Sequence, residues 1–152
     1  MGVIARSVTE ADLPLLAEMN KRLIADEGSC NPMTTAELQQ RMSDWRSNGW
    51  EIRLFLDNEP KRVVGYAVYQ LRSDDYFPEN KVVYLRQLYV ERMMRSQGIG
   101  RRALQWLIEH EFLIACKVVI DVLATNPRGY AFWKRMGFEP YYTNMRLEIP
   151  SR

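Results

Sequence analysis

The stretch from Val82 to Ile108 constrains the fold more than any other part of the chain. It begins with an apolar run typical of a strand, passes through a short loop with two closely spaced glycines, and ends in an amphipathic, helical pattern. A helix N-terminus carries about half a positive charge and unpaired backbone N–H groups, and glycine lets an anion approach that backbone closely. This order of elements therefore predicts a site for a phosphate group.

The segments around this stretch predict one parallel pair of strands. We expect the helix from Gly98 to Ile114, because its apolar residues recur on one side and its charged residues on the other. A second apolar run, Val118–Ala124, follows the helix. A strand, a helix and a strand in that order predict a right-handed crossover.

The remaining chain predicts further helices and strands. Before the glycine loop we expect a strand at Val3–Arg6, a helix opened by Thr9 and Asp12 and ending near Gly28, and a helix capped by Thr34 and Glu37 and closed by Gly49. A hairpin of Glu51–Leu56 and Val63–Leu71 follows, with a turn at Asp57–Pro60. After the loop we expect a helix at Arg128–Met136 and a pair of strands at Phe138–Tyr142 and Thr143–Ile149.

Composition predicts a single globular domain spanning residues 1–152, because 47% of the residues are apolar and 26% are charged. No run of eighteen apolar residues is present, so we expect no membrane association, and the N-terminus has no apolar secretory segment. The two cysteines are too few for a disulfide framework or a zinc site, which favours a cytoplasmic protein without a metal. A net charge of +2 does not favour nucleic acid as a partner.

The glycine loop reads Arg95-Ser96-Gln97-Gly98-Ile99-Gly100 and is followed by Arg101. It is not a Walker A loop, because the Gly-Lys-Ser/Thr ending is absent, and it lacks the third glycine of the dinucleotide-binding fingerprint. Taken alone, the glycines could simply permit a tight turn from strand to helix. Arginines surround the loop, which favours the phosphate site.

A second motif lies in the segment NPRGYAFWKRMGF, at residues 126–138. Together the two segments resemble the GNAT superfamily of acyl-CoA-dependent N-acetyltransferases. The loop matches the Arg/Gln-x-x-Gly-x-Gly/Ala pattern of that family, and the second segment matches its Asn-(x)6-Tyr-(x)3-Gly-Phe pattern except at Trp133. The resemblance implies an α/β fold: a mixed, mostly antiparallel sheet with one splayed parallel pair, flanked by helices.

The resemblance also implies acetyl-CoA as cosubstrate, without a metal. In the family the glycine loop surrounds the CoA pyrophosphate, and pantetheine enters the gap of the splayed pair. Carried over to this sequence, the cofactor-binding residues are Leu88, Tyr89, Val90, Arg95, Ser96, Gln97, Gly98, Ile99, Gly100, Arg101, Asn126 and Trp133. A backbone N–H near Leu88 or Tyr89 is the expected donor to the thioester carbonyl.

The chain departs from the family where a tyrosine often protonates the departing thiolate, because Trp133 stands there and indole is not a general acid. Tyr130, one helical turn earlier, is our candidate for that role, and direct protonation by solvent is the alternative. A thiolate with a pKa near 8.5 leaves readily, so loss of the acid need not abolish turnover.

An alkylamine acceptor with a pKa near 10.4 is mostly protonated at neutral pH, so a base is expected. Glu27, at the end of the first helix, is our candidate, and Asp74 and Asp75 are further acids that could face an acceptor. We expect direct attack of the amine on acetyl-CoA, without a covalent enzyme intermediate. These acids and Asp26 favour a small cationic amine, together with the aromatic residues Trp45, Trp50, Tyr76 and Phe77. They do not exclude a peptide N-terminus or a lysine.

Two other functions stay open. Trp133 motivates a non-catalytic acyl-CoA-binding sensor or interaction domain, and the arginines around the loop motivate a weaker alternative, a nucleic-acid-binding protein. The two C-terminal strands could also join two copies into a homodimer, and the sequence does not decide between monomer and homodimer.

Overall fold

A computed structural model of the protein describes residues 2–58 and 61–151. Five strands form one sheet in the order β1-β2-β3-β4-β5. The strands are β1 (Val3–Ser7), β2 (Glu51–Asn58), β3 (Lys61–Ser73), β4 (Lys81–Val90) and β5 (Ala115–Val119). The helices are α1 (Leu13–Asp26), α2 (Thr35–Ser47), α3 (Ile99–His110) and α4 (Pro127–Arg135). All strand pairs are antiparallel except β4–β5, so the predicted fold class is confirmed.

The sheet separates two layers of core residues. On one face α1 and α2 pack through residues such as Leu16 and Met42 against Tyr66 of β3. On the other face α3 packs through Leu107 against β3 and β4, and apolar residues of α4 add to the same cluster. The helices thus cover both faces of the sheet, and the glycine loop lies at the junction of β4 and α3.

The start of α2 shows how local sequence sets a helix boundary. The backbone N–H of Glu37 donates to the Thr34 hydroxyl at 3.2 Å, and the backbone N–H of Thr34 donates to the Glu37 carboxylate at 2.9 Å. These reciprocal bonds satisfy two donors that a helix N-terminus leaves unpaired. Gly49, whose φ is +86°, follows the end of the helix. The predicted second helix is therefore confirmed.

Strands β4 and β5 pair over a short distance and then separate. The parallel register runs from Lys81 opposite Ala115 to Tyr84 opposite Val119, and β4 then continues to Val90 paired with β3 but with no described strand on its other side. The strand predicted at Val118–Ala124 is therefore displaced, because residues 120–124 diverge from β4 after the last pair. The divergence opens a gap along residues 85–90, which confirms the predicted splayed pair.

A bulge interrupts β4 at the point where this gap opens. Val68 pairs with Gln87 and Tyr69 pairs with Leu85, which leaves Arg86 without an opposite residue on β3. Bulges place two successive side chains on nearly the same face and bend the strand. Arg86 and Gln87 consequently both lie on the face that α1 and α2 cover.

Helix α3 ends at His110, four residues before the end that its sequence pattern predicts. The backbone N–H of Phe112 donates to the carbonyl of Leu107 at 2.9 Å, so the chain turns back on itself at this point. The ring of Phe112 then packs edge-on against Tyr69, with their centroids 4.9 Å apart. Burial of Phe112 ends the helix and leaves Leu113 and Ile114 exposed.

The two predicted C-terminal strands, Phe138–Tyr142 and Thr143–Ile149, are wrong. Residues 138–151 form no strand, and apolar side chains along them are 73–89% exposed. The exposed members are Tyr141, Tyr142, Met145, Leu147 and Ile149. Alternating apolar residues give a chain the potential to form a strand, but a strand also needs a partner for its backbone groups. No such partner stands beside this segment in the part of the chain that the structure describes.

Candidate functional site

The glycine loop, which joins β4 to α3, ends at a helix N-terminus that no described side chain caps. Gly98 occupies the N-cap position of α3 with φ +76° and ψ +11°, a left-handed conformation that glycine adopts without strain. No side chain among the described residues caps this end. The first-turn backbone N–H groups, those of Ile99, Gly100 and Arg101, therefore have no intrahelical acceptor and are available to an anion. Ser96 also has a positive φ, +66°, so the loop bends sharply twice.

The arginines around the loop have different tasks. Nε of Arg95 donates to the carbonyl oxygen of Val90 at 2.9 Å, and its Nη2 donates to Asp26 at 2.5 Å. Nη2 of Arg102 donates to the carbonyl of Gln97 at 2.6 Å. These two arginines hold the loop in shape. Arg101 is exposed and makes no ion pair with the described residues, so its guanidinium is the one free to meet a phosphate.

Helix α4 is packed against the glycine loop through Gly100. A Cβ atom at Gly100 would lie 3.0 Å from the ring of Phe132, so a larger residue would force the ring to shift by a few tenths of an ångström. Asn126 caps α4, since its Oδ1 accepts from the N–H of Gly129 at 3.0 Å. Trp133 packs into the core beside Phe132, with ring centroids 5.0 Å apart, and so has a structural role.

Tyr130 lies on the first turn of α4, where its side chain is 47% exposed. Its hydroxyl has no partner among the described residues, and its backbone N–H donates to the carbonyl of Asn126 at 3.1 Å. An exposed phenol at this position can meet a ligand that lies between β4 and α4.

The open edge of β4 presents backbone groups towards the gap. The N–H of Glu91 donates to the carbonyl of Val64 on β3 at 2.8 Å. Because successive residues of a strand direct their backbone groups to opposite sides, those of Tyr89 point to β3 and those of Leu88 and Val90 point to the gap. The carbonyl of Val90 accepts from Arg95, so Leu88 is the residue whose N–H and carbonyl both face the gap without a partner among the described residues.

Glu27 is the C-cap residue of α1 and is half-buried. Burial raises the pKa of its carboxyl, and the neighbouring charge of Asp26 raises it further. Its charge also acts on Tyr66, a fully buried tyrosine whose hydroxyl donates to Oε1 of Gln87 at 2.8 Å. The carbonyl of Glu27 accepts from the hydroxyl of Thr125 at 2.7 Å, which ties the end of α1 to the start of α4.

Other acids proposed to face an acceptor are engaged elsewhere. Asp26 accepts from Arg92 and Arg95, as a structural link. Asp74 accepts from the backbone N–H groups of Tyr76 and Phe77 and from Lys117, and these bonds lower its pKa to about 2. Neither carboxylate is free to recruit a cationic acceptor. Two of the acids that favoured a small cationic amine, Asp26 and Asp74, are therefore not available to bind it.

Sequence reasoning missed the residues that the bulge brings together. Gln87 and Tyr66 lie on neighbouring strands and are joined by a hydrogen bond, and Arg86 projects beside them. No sequence pattern marks a one-residue bulge in a strand, so the sequence does not predict that Arg86 and Gln87 share a face of the sheet.

Residues 2–58 and 61–151 contain neither a membrane-spanning helix nor a cluster of metal-binding side chains. No helix there is long and apolar enough to cross a membrane. No group of three or more His, Cys, Asp or Glu side chains in the same ranges is arranged to hold a metal ion.

Comparison with solved structures shows the same fold in proteins of low identity. A possible acetyltransferase from Clostridium difficile 630 superposes with a TM-score of 0.78 at 14% identity, over 99% of this chain and 100% of the other. An acetyltransferase from Trypanosoma brucei superposes with a TM-score of 0.68 at 22% identity, over 97% and 99% of the two chains.

Comparison of sequences identifies the family. The chain is 34% identical over 70 residues to the uncharacterized N-acetyltransferase YesJ of Bacillus subtilis (strain 168), a match that spans 45% of this chain and 38% of that protein. The model of the acetyltransferase (GNAT) family matches residues 18–138, which include both motifs and most of the sheet. The chain belongs to the acetyltransferase (GNAT) family.

Proposed function

We propose that the protein transfers the acetyl group of acetyl-CoA to a primary amine. The observation that carries the proposal is the succession of an open strand edge and an uncapped helix N-terminus along β4 and α3. The edge offers backbone groups to an extended amide chain, and the helix offers N–H groups to a pyrophosphate. Pantetheine and pyrophosphate follow each other in CoA in the order that these two features require.

The glycine loop, Arg95–Gly100 with Arg101, is our proposed pyrophosphate site. Backbone N–H groups of the first turn of α3 supply donors, and Arg101 supplies a positive charge. Hydrogen bonds to charged groups contribute roughly 1.5–3 kcal/mol each, so a few of them suffice for useful affinity. Leu88 would pair with the pantetheine amides, and Asn126 with α4 would border the cofactor from the other side.

The amine attacks the thioester carbonyl directly in the proposed reaction. The N–H of Leu88 at the open edge of β4 is the donor that would stabilise charge on the carbonyl oxygen. Glu27, whose pKa is raised by burial, would take the proton from the ammonium group, directly or through a water molecule. A base of raised pKa suits a proton acceptor that works near neutral pH.

Tyr130 is our proposed donor of a proton to the departing thiolate. Its hydroxyl is exposed on the first turn of α4, while Trp133 packs in the core. Solvent competes with Tyr130 for this role, because thiolates are good leaving groups. Replacement of Tyr130 by Phe should therefore lower kcat about tenfold or less, which is below the usual range for a general acid.

Release of free thiol from acetyl-CoA in the presence of a panel of amines tests the proposal. We expect thiol release that depends on the amine and forms an equimolar amount of N-acetylated product. Tight binding of acetyl-CoA without release for any amine would instead favour the acyl-CoA sensor that Trp133 motivates. Absence of both binding and release would contradict the proposed function.

Both free cysteines, Cys30 and Cys116, are exposed, which fits the reducing cytoplasm that we expect as the location of the protein.

A homodimer stays a prediction. The exposed apolar side chains of residues 139–149 offer a surface for it, and sedimentation equilibrium of the whole chain decides between monomer and dimer.

A further inference from the structure

Three arginines and three aromatic rings alternate on the face of the sheet beside α2. Arg41 lies 4.4 Å from the ring centroid of Trp45, and Arg86 lies 4.8 Å from the same ring. Arg86 also lies 5.4 Å from Trp50. The series continues with Arg72, which lies 5.5 Å from Trp50 and 4.5 Å from Tyr84. We call this set, Arg41, Trp45, Arg86, Trp50, Arg72 and Tyr84, the arginine–aromatic ladder.

The guanidinium groups of the ladder have few polar partners. Arg41 donates one bond, from Nη2 to Oδ1 of Asn20 at 3.1 Å, while its buried Nε has no partner among the described residues. Nε of Arg72 donates to Gln70 at 2.9 Å. Arg86 makes neither a hydrogen bond nor an ion pair with the part of the chain that the structure describes. All five arginine–ring distances lie within the range of a cation–π contact, and the contact with a ring does not use the N–H donors of the guanidinium group.

The ladder carries an excess of positive charge. No carboxylate of the described residues lies within 4 Å of a ladder guanidinium. Asp121 contacts the ladder at Tyr84, whose hydroxyl donates to its Oδ2 at 2.6 Å, and its single negative charge does not balance the three guanidinium charges. Three neighbouring cations of like charge repel one another, so an anion placed among them is strongly favoured.

The ladder adjoins the proposed reaction centre. Arg86 is the bulged residue of β4, at the point where the gap between β4 and β5 opens, and the next residue, Gln87, accepts a hydrogen bond from Tyr66. Glu27 and Arg41 both act electrostatically on Tyr66, so both charges lie in the neighbourhood of that side chain. An amine held at Glu27 could therefore carry a second group that extends to Arg41 and Arg86.

We propose that the acetyl acceptor is a small primary amine bearing an anionic group, a carboxylate or a phosphate, which binds to Arg86 and Arg41 on the arginine–aromatic ladder. The inference rests on the proposed function, because it assigns the ladder to the acceptor. It replaces the earlier expectation of a cationic acceptor. The same ladder repels a second ammonium group on the acceptor.

Matched amines test this specificity through thiol release from acetyl-CoA. β-Alanine is compared with propylamine, phosphoethanolamine with ethanolamine, and ethylenediamine serves as the cationic counterpart. We expect kcat/KM to be at least about tenfold higher for the anionic member of each pair, since bidentate charged hydrogen bonds are among the strongest in proteins. Ethylenediamine should be the poorest acceptor. The two ratios of kcat/KM, β-alanine to propylamine and phosphoethanolamine to ethanolamine, show whether the site prefers a carboxylate or a phosphate.

Variants of Arg86 link the preference to the ladder. Arg86→Gln should bring the ratio of kcat/KM within each pair towards one, mainly through KM of the anionic member. Arg86→Lys should keep part of the preference, because it retains the charge but loses the planar fork. Arg46→Gln, at an exposed arginine of α2 outside the ladder, is the matched control and should keep the wild-type ratio.

A binding titration separates this inference from the proposed function. Trp45 and Trp50 contact Arg86, so binding of phosphoethanolamine or β-alanine should change the tryptophan fluorescence of the wild type and not that of Arg86→Gln. Thiol release without preference for anionic amines would overturn the ladder's role and leave the N-acetyltransferase intact. If no amine gives thiol release, saturable binding lost in Arg86→Gln still supports an anion site on the ladder, and absence of binding overturns it.

Discussion

Oδ2 of Asp26 accepts a hydrogen bond from Nη2 of Arg95 at 2.5 Å, which joins the end of α1 to the glycine loop. Oδ1 of the same carboxylate accepts from Nε of Arg92 at 2.9 Å. Burial raises the pKa of Asp26, but the hydrogen bonds from Arg95 and Arg92 outweigh it and bring the pKa below its usual value. The carboxylate of Asp26, on α1, thus anchors the segment that contains Arg92 and Arg95.

Asp26→Asn should weaken this link and loosen the loop. We expect the free energy of unfolding to fall by about 1–3 kcal/mol, because two hydrogen bonds between charged groups are replaced by weaker ones. Acetyl-CoA should also bind more weakly, since the helix N-terminus is less well positioned. Urea unfolding and a binding titration measure the two effects. Glu18→Gln, on the exposed side of α1, is the control, and an equal response of both variants would refute the link.

Glu27→Gln should lower turnover while it stabilises the fold. Removal of a general base costs about 10²–10⁴-fold in rate. A carboxyl whose folded pKa is raised above its unfolded value stabilises the fold below the unfolded pKa, and this contribution is lost as pH rises through the folded pKa. Near neutral pH the neutral glutamine therefore avoids a burial penalty that ionised Glu27 carries.

Steady-state thiol release and thermal unfolding measure the two changes in Glu27→Gln. The rate of the wild type should fall as pH is lowered through the raised pKa of Glu27, and the variant should lack this acid limb. Acetyl-CoA affinity should stay unchanged. A variant with the turnover and pH profile of the wild type would remove Glu27 from the mechanism.

Gly98→Ala should destabilise the loop, because φ at this position is +76°. A left-handed conformation costs a residue with a Cβ atom roughly 1–2 kcal/mol. Gly98→Asn should cost less, since asparagine adopts this conformation more readily than alanine. We expect the free energy of unfolding, measured with urea, to be highest for the wild type, lower for Gly98→Asn and lowest for Gly98→Ala. Equal stability of the two variants would show that φ at this position does not limit the fold.

The lowered pKa of Asp74 predicts that the protein loses stability in acid. Its pKa is lowered to about 2, mainly by the hydrogen bond from Lys117 and next by the N–H groups of Tyr76 and Phe77. Because the folded pKa is below the unfolded one, ionised Asp74 stabilises the fold above the unfolded value of about 4, and this contribution disappears as pH falls towards 2. Asp74→Asn should flatten the pH dependence of unfolding in this window.

Asp75→Asn is the matched control for Asp74, as its carboxylate lies on the neighbouring, exposed residue. Chemical unfolding at a series of pH values gives the slope for each variant. Equal slopes in wild type and Asp74→Asn would show that the interactions of Asp74 contribute nothing to acid stability.

Local signals in the sequence predicted most of the fold. The capping pair Thr34 and Glu37 fixed the start of α2, and the glycine loop after an apolar run fixed the junction of β4 and α3. These features depend on residues close together in the chain, and the structure confirms them. The fold class followed from the same order of elements.

Features that depend on partners distant in the sequence were not predictable. Phe112 ends α3 early because it packs on Tyr69, far away in the chain. The apolar alternation of Met145, Leu147 and Ile149 predicted a strand that has no neighbour to pair with. The bulge at Arg86 depends on the register of β3 against β4. The arginine–aromatic ladder depends on this bulge, so it was not predictable either.

Isothermal titration with acetyl-CoA tests the central claim, that the uncapped N-terminus of α3 holds the pyrophosphate of the cosubstrate. The wild type should bind with a micromolar Kd, and Arg101→Ala should bind about tenfold more weakly, because one charged contact is removed. Gly98→Trp, which places a bulky side chain at the N-cap, should abolish binding. Absence of binding by the wild type at millimolar acetyl-CoA, or unchanged affinity in Gly98→Trp, would contradict the account.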